Sequence, residues 1–217
     1  MSEATFHRGD GSLDLIITTR GGPNRLFIND GKGHFTEDLT FPGRESKLAS
    51  TFIAVADVDG NGQVDVFIGG RAKLNRYPEA ADSMLLLQES QGHLVNASPE
   101  INDALKNLDL VSGAVFADVD GDGRPDLISA CEWGAIQLLL NTTNGFVNAT
   151  AAWGLDKFTG WWNGVAVGDF DGDGRIDIVA SHWGQNSKCE ESYEADSVAE
   201  RINLPFALMH AGFVVRS

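Results

Sequence analysis

Short apolar segments recur along the chain, and each is cut off by a polar turn before it is long enough for a helix. "TFIAVA" before Asp57 and "VDVFIGG" after it flank one such turn, and both are rich in β-branched residues. They read as two strands joined by an acidic loop. "NRLFINDGKGHFTED" from Asn24, "SMLLLQESQGHLVNAS" from Ser83 and "IQLLLNTTNGFVNAT" from Ile136 each run apolar strand, glycine-bearing turn and second short strand. That order is the signature of a β-hairpin.

The two patterns alternate. The strand–loop–strand stretch is nearly copied three times, as "VADVDGNGQVDVFIGG" from Val55, "FADVDGDGRPDLISA" from Phe116 and "VGDFDGDGRIDIVAS" from Val167. A fourth, degenerate copy, "RGDGSLDLIITT", keeps Asp10, Gly11 and Asp14 but has Phe6 and Arg8 at its first two acidic positions. The last aspartates, Asp14, Asp65, Asp126 and Asp177, are spaced by 51, 61 and 51 residues. About four antiparallel strands at such a period is the arithmetic of a β-propeller blade. With the strands of each unit named A to D and the acidic loop joining A to B, the chain predicts an all-β fold. It is a partial β-propeller of three to four blade-like, four-stranded repeats. In this count the first blade lacks its A strand, two are complete, and the last supplies A and B before the pattern stops near Trp183 or Gly184. Residues 1–184 form the repeat region. Residues 185–217 stay unassigned, with mild helical character in "CEESYEADSVAERI".

Inside each complete loop, acidic or amide side chains stand at positions 1, 3, 5 and 9, and glycines at positions 4 and 6. The first loop has Asp57, Asp59, Asn61 and Asp65, the second Asp118, Asp120, Asp122 and Asp126, and the third Asp169, Asp171, Asp173 and Asp177. Alternate residues projecting inward let a short loop wrap a cation with hard oxygen ligands, and the backbone carbonyl of position 7 adds another. Gln63, Arg124 and Arg175 hold that position. Six or seven protein oxygens suit Ca2+ better than magnesium, which keeps several waters, and no histidine or cysteine in the loops invites zinc. About three calcium sites are expected. An EF-hand loop also begins D-x-D-x-D-G, but it needs a bidentate glutamate at position 12, where this chain has Ile68, Ser129 and Ala180.

Composition narrows the partners. A formal charge of −15 and a pI near 4.5 argue against nucleic acid or an anionic membrane. No apolar run reaches the length of a membrane span, and the start "MSEATFHRGDGSLDL" shows no basic-then-apolar signal region. Cys131 and Cys189 form one disulfide or none. No "GxSxG" and no Ser–His–Asp pattern is present, and His34 and His93 recur with the hairpin repeat, so the chain is not expected to be an enzyme. The "RGD" at Arg8–Asp10 is explained by the repeat itself. Asn96, Asn141 and Asn148 begin N-x-S/T sequons, which matter only in a eukaryotic secretory setting. Trp153, Trp161 and Trp162 lie near the end of strand A opposite the acidic loops. They form either an aromatic patch for a protein or sugar or packing between blades.

"DVDGDGRPDL", "DFDGDGRIDI" and "NRLFINDGKGHFTED" resemble the FG-GAP/VCBS repeats of integrin-alpha-like β-propellers, and more closely those of the group paired with an ASPIC/UnbV module. The likeness spans residues 6–184. It implies a propeller, calcium in the A–B loops, an extracellular or cell-surface setting, and a role in adhesion or protein interaction. The broken first loop, the missing blades and the tail depart from the family. Three functions stay open: a non-catalytic calcium-binding module for adhesion or for a protein or glycan ligand; an accessory or carbohydrate-binding part of an extracellular enzyme; and a truncated fragment. An oligomer or missing blades would complete the ring.

Overall fold

The computed structural model of the protein describes residues 2–7, 9–19, 21–45, 48–89, 92–106, 108–182 and 212–215. Its regular structure is overwhelmingly antiparallel β. Strands β1 (Ser2–His7), β2 (Leu13–Thr18), β3 (Arg25–Asn29) and β4 (Phe35–Asp38) make the first sheet in that order. The second contains β5 (Leu48–Ala56), β6 (Asp65–Lys73), β7 (Met84–Gln88) and β8 (Leu94–Asn96). In the third unit β9 (Leu110–Ala117), β10 (Asp126–Ala135), β11 (Gln137–Thr142) and β12 (Gly145–Asn148) pair successively. β13 (Thr159–Gly168), β14 (Asp177–His182) and β15 (Gly212–Val215) follow. The predicted A–B–C–D plan is present, and every A–B connection carries an acidic loop.

Two expectations change. The first unit does not lack its A strand, because β1 pairs with β2 from Ser2 opposite Thr18 to His7 opposite Leu13. Losing two acidic residues alters the loop's chemistry, whereas ladder pairing uses backbone groups that any residue carries. The unassigned tail contributes β15, antiparallel to β14 where strand C stands in the other units. Residues 183–211, including Trp183, Gly184, Cys189 and His210, lie outside the described residues, as does Arg8. Cys131 is a free, buried thiol.

Both faces of the inner strands are buried, which is why "VDVFIGG" reads as a continuous apolar run and not as an alternation. Val66, Ile68 and Leu86 share a core with Ile16 and Leu26 of the first sheet. Phe67 and Leu85, on the other face, join Val111, Leu127 and Leu139 of the third. Ile128 and Leu138 in turn meet Ile178 and Trp162. Successive residues of one strand therefore belong to two different inter-sheet cores.

The A strands are sequential neighbours, with β5 between β1 and β9, and β13 beyond β9. At Gly113 a side chain would place Cβ 2.8 Å from Gly164 Cα, so this approach of two backbones requires glycine. The far end of β10 also pairs with the start of β13, Glu132 opposite Trp161 and Ala135 opposite Thr159. One short helix, α1 (Pro99–Leu105), is absent from the repeat-based reading. Its start is signalled by Ser98 at the N-cap followed by proline, and it drops Leu105 into the core between the second and third sheets.

Candidate metal centre

Each intact loop is organised by its position-1 carboxylate. Asp118 Oδ1 accepts the N–H groups of Gly121 at 2.7 Å and Asp122 at 3.1 Å, and its Oδ2 accepts that of Gly123 at 2.8 Å. Asp57 binds Gly60, Asn61 and Gly62 in the same way, and Asp169 binds Gly172, Asp173 and Gly174. Wrapping three consecutive N–H groups around one side chain demands positive φ at positions 4 and 6, observed at +80° for Gly121 and +88° for Gly123.

Position 9 is a buried anchor. Asp65 Oδ2 accepts the Val58 N–H at 2.8 Å, and its Oδ1 accepts the Gln88 N–H at 2.7 Å, at the end of strand C. Asp126 repeats both bonds with Val119 and Asn141, and Asp177 accepts from Phe170. The same carboxylate thus closes the loop and ties it to the hairpin. Asn141 extends the tie, since its Nδ2 donates 2.8 Å to the carbonyl of Val58 in the preceding unit's loop. That buried amide is structural, so its sequon is not presented to solvent.

The carboxylate oxygens converge in all three loops. Asp57, Asp59 and Asp65, then Asp118, Asp120 and Asp122, then Asp169, Asp171 and Asp177 each offer oxygens within 4.8 Å of one another. Asp126 and Asp173 stand outside these trios. The Asn61 side chain bonds Asp59 Oδ2 and the Gln88 carbonyl, each at 3.1 Å, while its Oδ1 accepts the Gln63 N–H. The loop spacing assigns the arginines a role only through their carbonyls. Their guanidinium groups do more: Arg124 pairs with Asp122 and Arg175 with Asp173. Position 7 therefore neutralises position 5 by an i, i+2 contact that the loop sequences already contained. Gln63, uncharged, instead accepts from Gln88 Nε2 at 2.8 Å.

Burial pushes the Asp65 carboxyl up to about 6, with the charges of Asp59 and Asp57 adding to the effect and the N–H groups of Gln88 and Val58 opposing it. Asp126 is raised for the same reason, helped by Asp120 and Asp122. Crowded carboxylates of this kind are relieved by a cation that replaces lost solvation. The donor set fits a hard divalent ion: clustered oxygens, no thiolate or imidazole in any trio, and a preformed loop.

A profile of the FG-GAP-like repeat matches residues 8–68 and 118–180, together more than half of the chain. The chain belongs to the FG-GAP-like repeat family. Its sheets and loops are those of a β-propeller-like interaction module, and the second unit's outer hairpin lies between the two matched stretches. Cartilage acidic protein 1 of Mus musculus is 30% identical over 130 residues, which is 58% of this chain and 19% of that protein. The Homo sapiens protein of the same name is 29% identical over the same length and the same shares. The chain thus spans about a fifth of the length of these relatives.

Elsewhere in this FG-GAP-like chain, the tryptophans divide. Trp162 is core, its Nε1 donating to the Phe158 carbonyl at 3.3 Å, and Trp153 packs on the same cluster. Trp161 packs in a tilted ring contact against Trp133, a residue the repeat pattern did not single out. His182 is structural: its Nε2 accepts the Trp161 N–H at 3.1 Å and its ring meets Trp162 edge-on. No helix among the described residues is long and apolar enough to cross a membrane.

Proposed function

We propose that the protein is a non-catalytic, calcium-stabilised interaction module acting outside the cell. The observation that carries this reading is the meeting of three carboxylates in each of three loops of identical plan. Calcium in those loops would replace mutual repulsion with coordination and lock each A–B connection to its hairpin, so that the ion serves rigidity and not chemistry. Extracellular modules bind calcium at about 10⁻⁴ to 10⁻³ M, the range appropriate to exposed loops such as these. The acidic chain and its likeness to proteins named for cartilage and acidity support an adhesive or protein-binding role in that setting.

The face of the first sheet bearing Leu13, 48% exposed, supports assembly into a larger ring, since Val66 and Leu127 are fully buried on the corresponding face of the next two units. A further blade of the same kind covers it in this reading. Thermal unfolding in calcium and in chelator tests the metal: at a hundredfold excess over Kd a single site adds about 2.7 kcal/mol. An unchanged melting temperature contradicts calcium stabilisation.

A further inference from the structure

The face away from the acidic loops carries a cluster that the metal does not use. Trp133 lies seven residues beyond Asp126 along β10, roughly 20 Å from the loop at strand rise, and is 57% exposed. Its φ is +61°, a left-handed backbone that costs a side-chain-bearing residue about 1–2 kcal/mol. The indole is fixed from two sides. Its ring packs in a tilted contact against Trp161, with centroids 4.5 Å apart and planes at 44°, and its Nε1 donates to the Tyr77 hydroxyl at 2.6 Å. Tyr77, 48% exposed, sits in the β6–β7 connection with the Arg71 guanidinium 5.5 Å from its ring centroid. Arg71 in turn grips Glu132 with both arms, Nε to Oε1 at 2.6 Å and Nη2 to Oε2 at 3.0 Å, and the Tyr77 hydroxyl lies 3.4 Å from Oε2. Three successive units converge here, through β6 and its connection, β10 and β13.

Core packing does not explain an indole held outward in a strained conformation. The arrangement is preorganised, so a ligand meeting it pays little for ordering side chains. Its charge narrows the ligand further. Glu132 has both oxygens engaged by Arg71, and Arg71 is spent on Glu132, so the cluster is locally neutral although the chain carries −15. An ammonium or a phosphate finds no uncompensated partner in it. Two tilted indole faces beside a tyrosine ring, with no free charge among them, instead suit a neutral molecule with apolar C–H faces and equatorial hydroxyls, which describes a pyranose ring.

We propose that Trp133, Trp161 and Tyr77 form an aromatic platform for a neutral carbohydrate chain, held in place from beneath by the Arg71–Glu132 pair. This rests on the reading of the protein as an interaction module and is independent of the calcium loops. The test is a two-dimensional NMR titration of the indole N–H signals of the full 217-residue chain in calcium. The probes are cellohexaose, chitohexaose, maltohexaose and laminarihexaose, with hexalysine and a heparin hexasaccharide as charged controls. At least one neutral hexasaccharide is expected to shift Trp133 and Trp161 but not Trp153. Trp133→Ala should weaken that binding at least about tenfold, and Tyr77→Phe, which keeps the ring but removes the hydroxyl contact, several-fold. No shift at millimolar neutral sugar, a shift with a charged control alone, or binding that survives Trp133→Ala overturns the proposal. Calcium-dependent melting without sugar binding refutes this inference alone. Sugar binding without any effect of calcium on melting supports it and refutes the metal reading.

Discussion

The loop that ends at Asp14 and the loop that ends at Asp126 share one backbone plan. Gly9 and Gly11 have φ of +84° and +82°, against +80° and +88° for Gly121 and Gly123. Asp10 Oδ1 accepts the Ser12 N–H as Asp122 Oδ1 accepts that of Arg124, both at 2.9 Å. Asp14 and Asp126 are both buried, and each accepts an N–H at the end of strand C, from Asn29 and Asn141, at 2.8 Å. Among the side chains expected to bind the ion the difference is confined to positions 1 and 3, Phe6 and Arg8 in one loop and Asp118 and Asp120 in the other, while position 7 is Ser12 in the first and Arg124 in the second. The turn is thus built by its glycines and positions 5 and 9, and the cation site is a further layer added by positions 1 and 3.

That separation is open to attack, most forcefully at position 9. Asp126→Ala orphans the buried N–H groups of Val119 and Asn141 and should cost roughly 2–5 kcal/mol, read by urea unfolding in chelator. Asp14→Ala should also destabilise in chelator, in a loop that lacks two of its carboxylates. If Asp14→Ala is neutral and Asp126→Ala matters only in calcium, position 9 is a ligand and not an anchor.

The pH dependence of the metal-free protein comes next. Because burial raises Asp65 to about 6, the folded state binds its proton more tightly than the unfolded state. This contribution is fully present below about pH 4 and is lost as pH rises through about 6, an effect on the order of 3 kcal/mol. His182 has the opposite sign, because burial lowers its pKa and its stabilising contribution is lost as pH falls below the ordinary imidazole range. The difference between the parent and Asp65→Asn isolates the carboxylate. In calcium the trend reverses, since coordination needs the ionised form and its stabilisation grows over the same window.

Smaller effects sharpen the same contrast. Gly11→Ala and Gly123→Ala should each cost about 1–2 kcal/mol in chelator, because both impose a left-handed conformation on alanine. A large disparity between them would show that the two turns are not equivalent. Asp120→Asn is expected to leave stability in chelator within about 0.5 kcal/mol, being exposed, while lowering the gain from calcium.

The loops were legible because their chemistry is local: aspartates at alternate positions and glycines at fixed offsets repeat in register. The strands around them were legible because two buried faces leave continuous apolar runs. β1 was not, since "SEATFH" has no such run and is recruited by pairing with β2. The aromatic cluster was invisible for a different reason. Trp133 and Tyr77 are 56 residues apart in sequence, and only the packing of adjacent blades brings them together. Trp161 and Trp162 are neighbours in sequence yet part company, because adjacent strand residues point to opposite sides and only Trp162 points into the core.

Calcium stoichiometry tests the central claim most directly. Titration calorimetry on chelator-stripped protein at pH 7 should give about three equivalents per chain, falling to two when Asp118 and Asp120 are both replaced by asparagine, with the degenerate first loop contributing none. No binding, or the same stoichiometry after the double replacement, would contradict it.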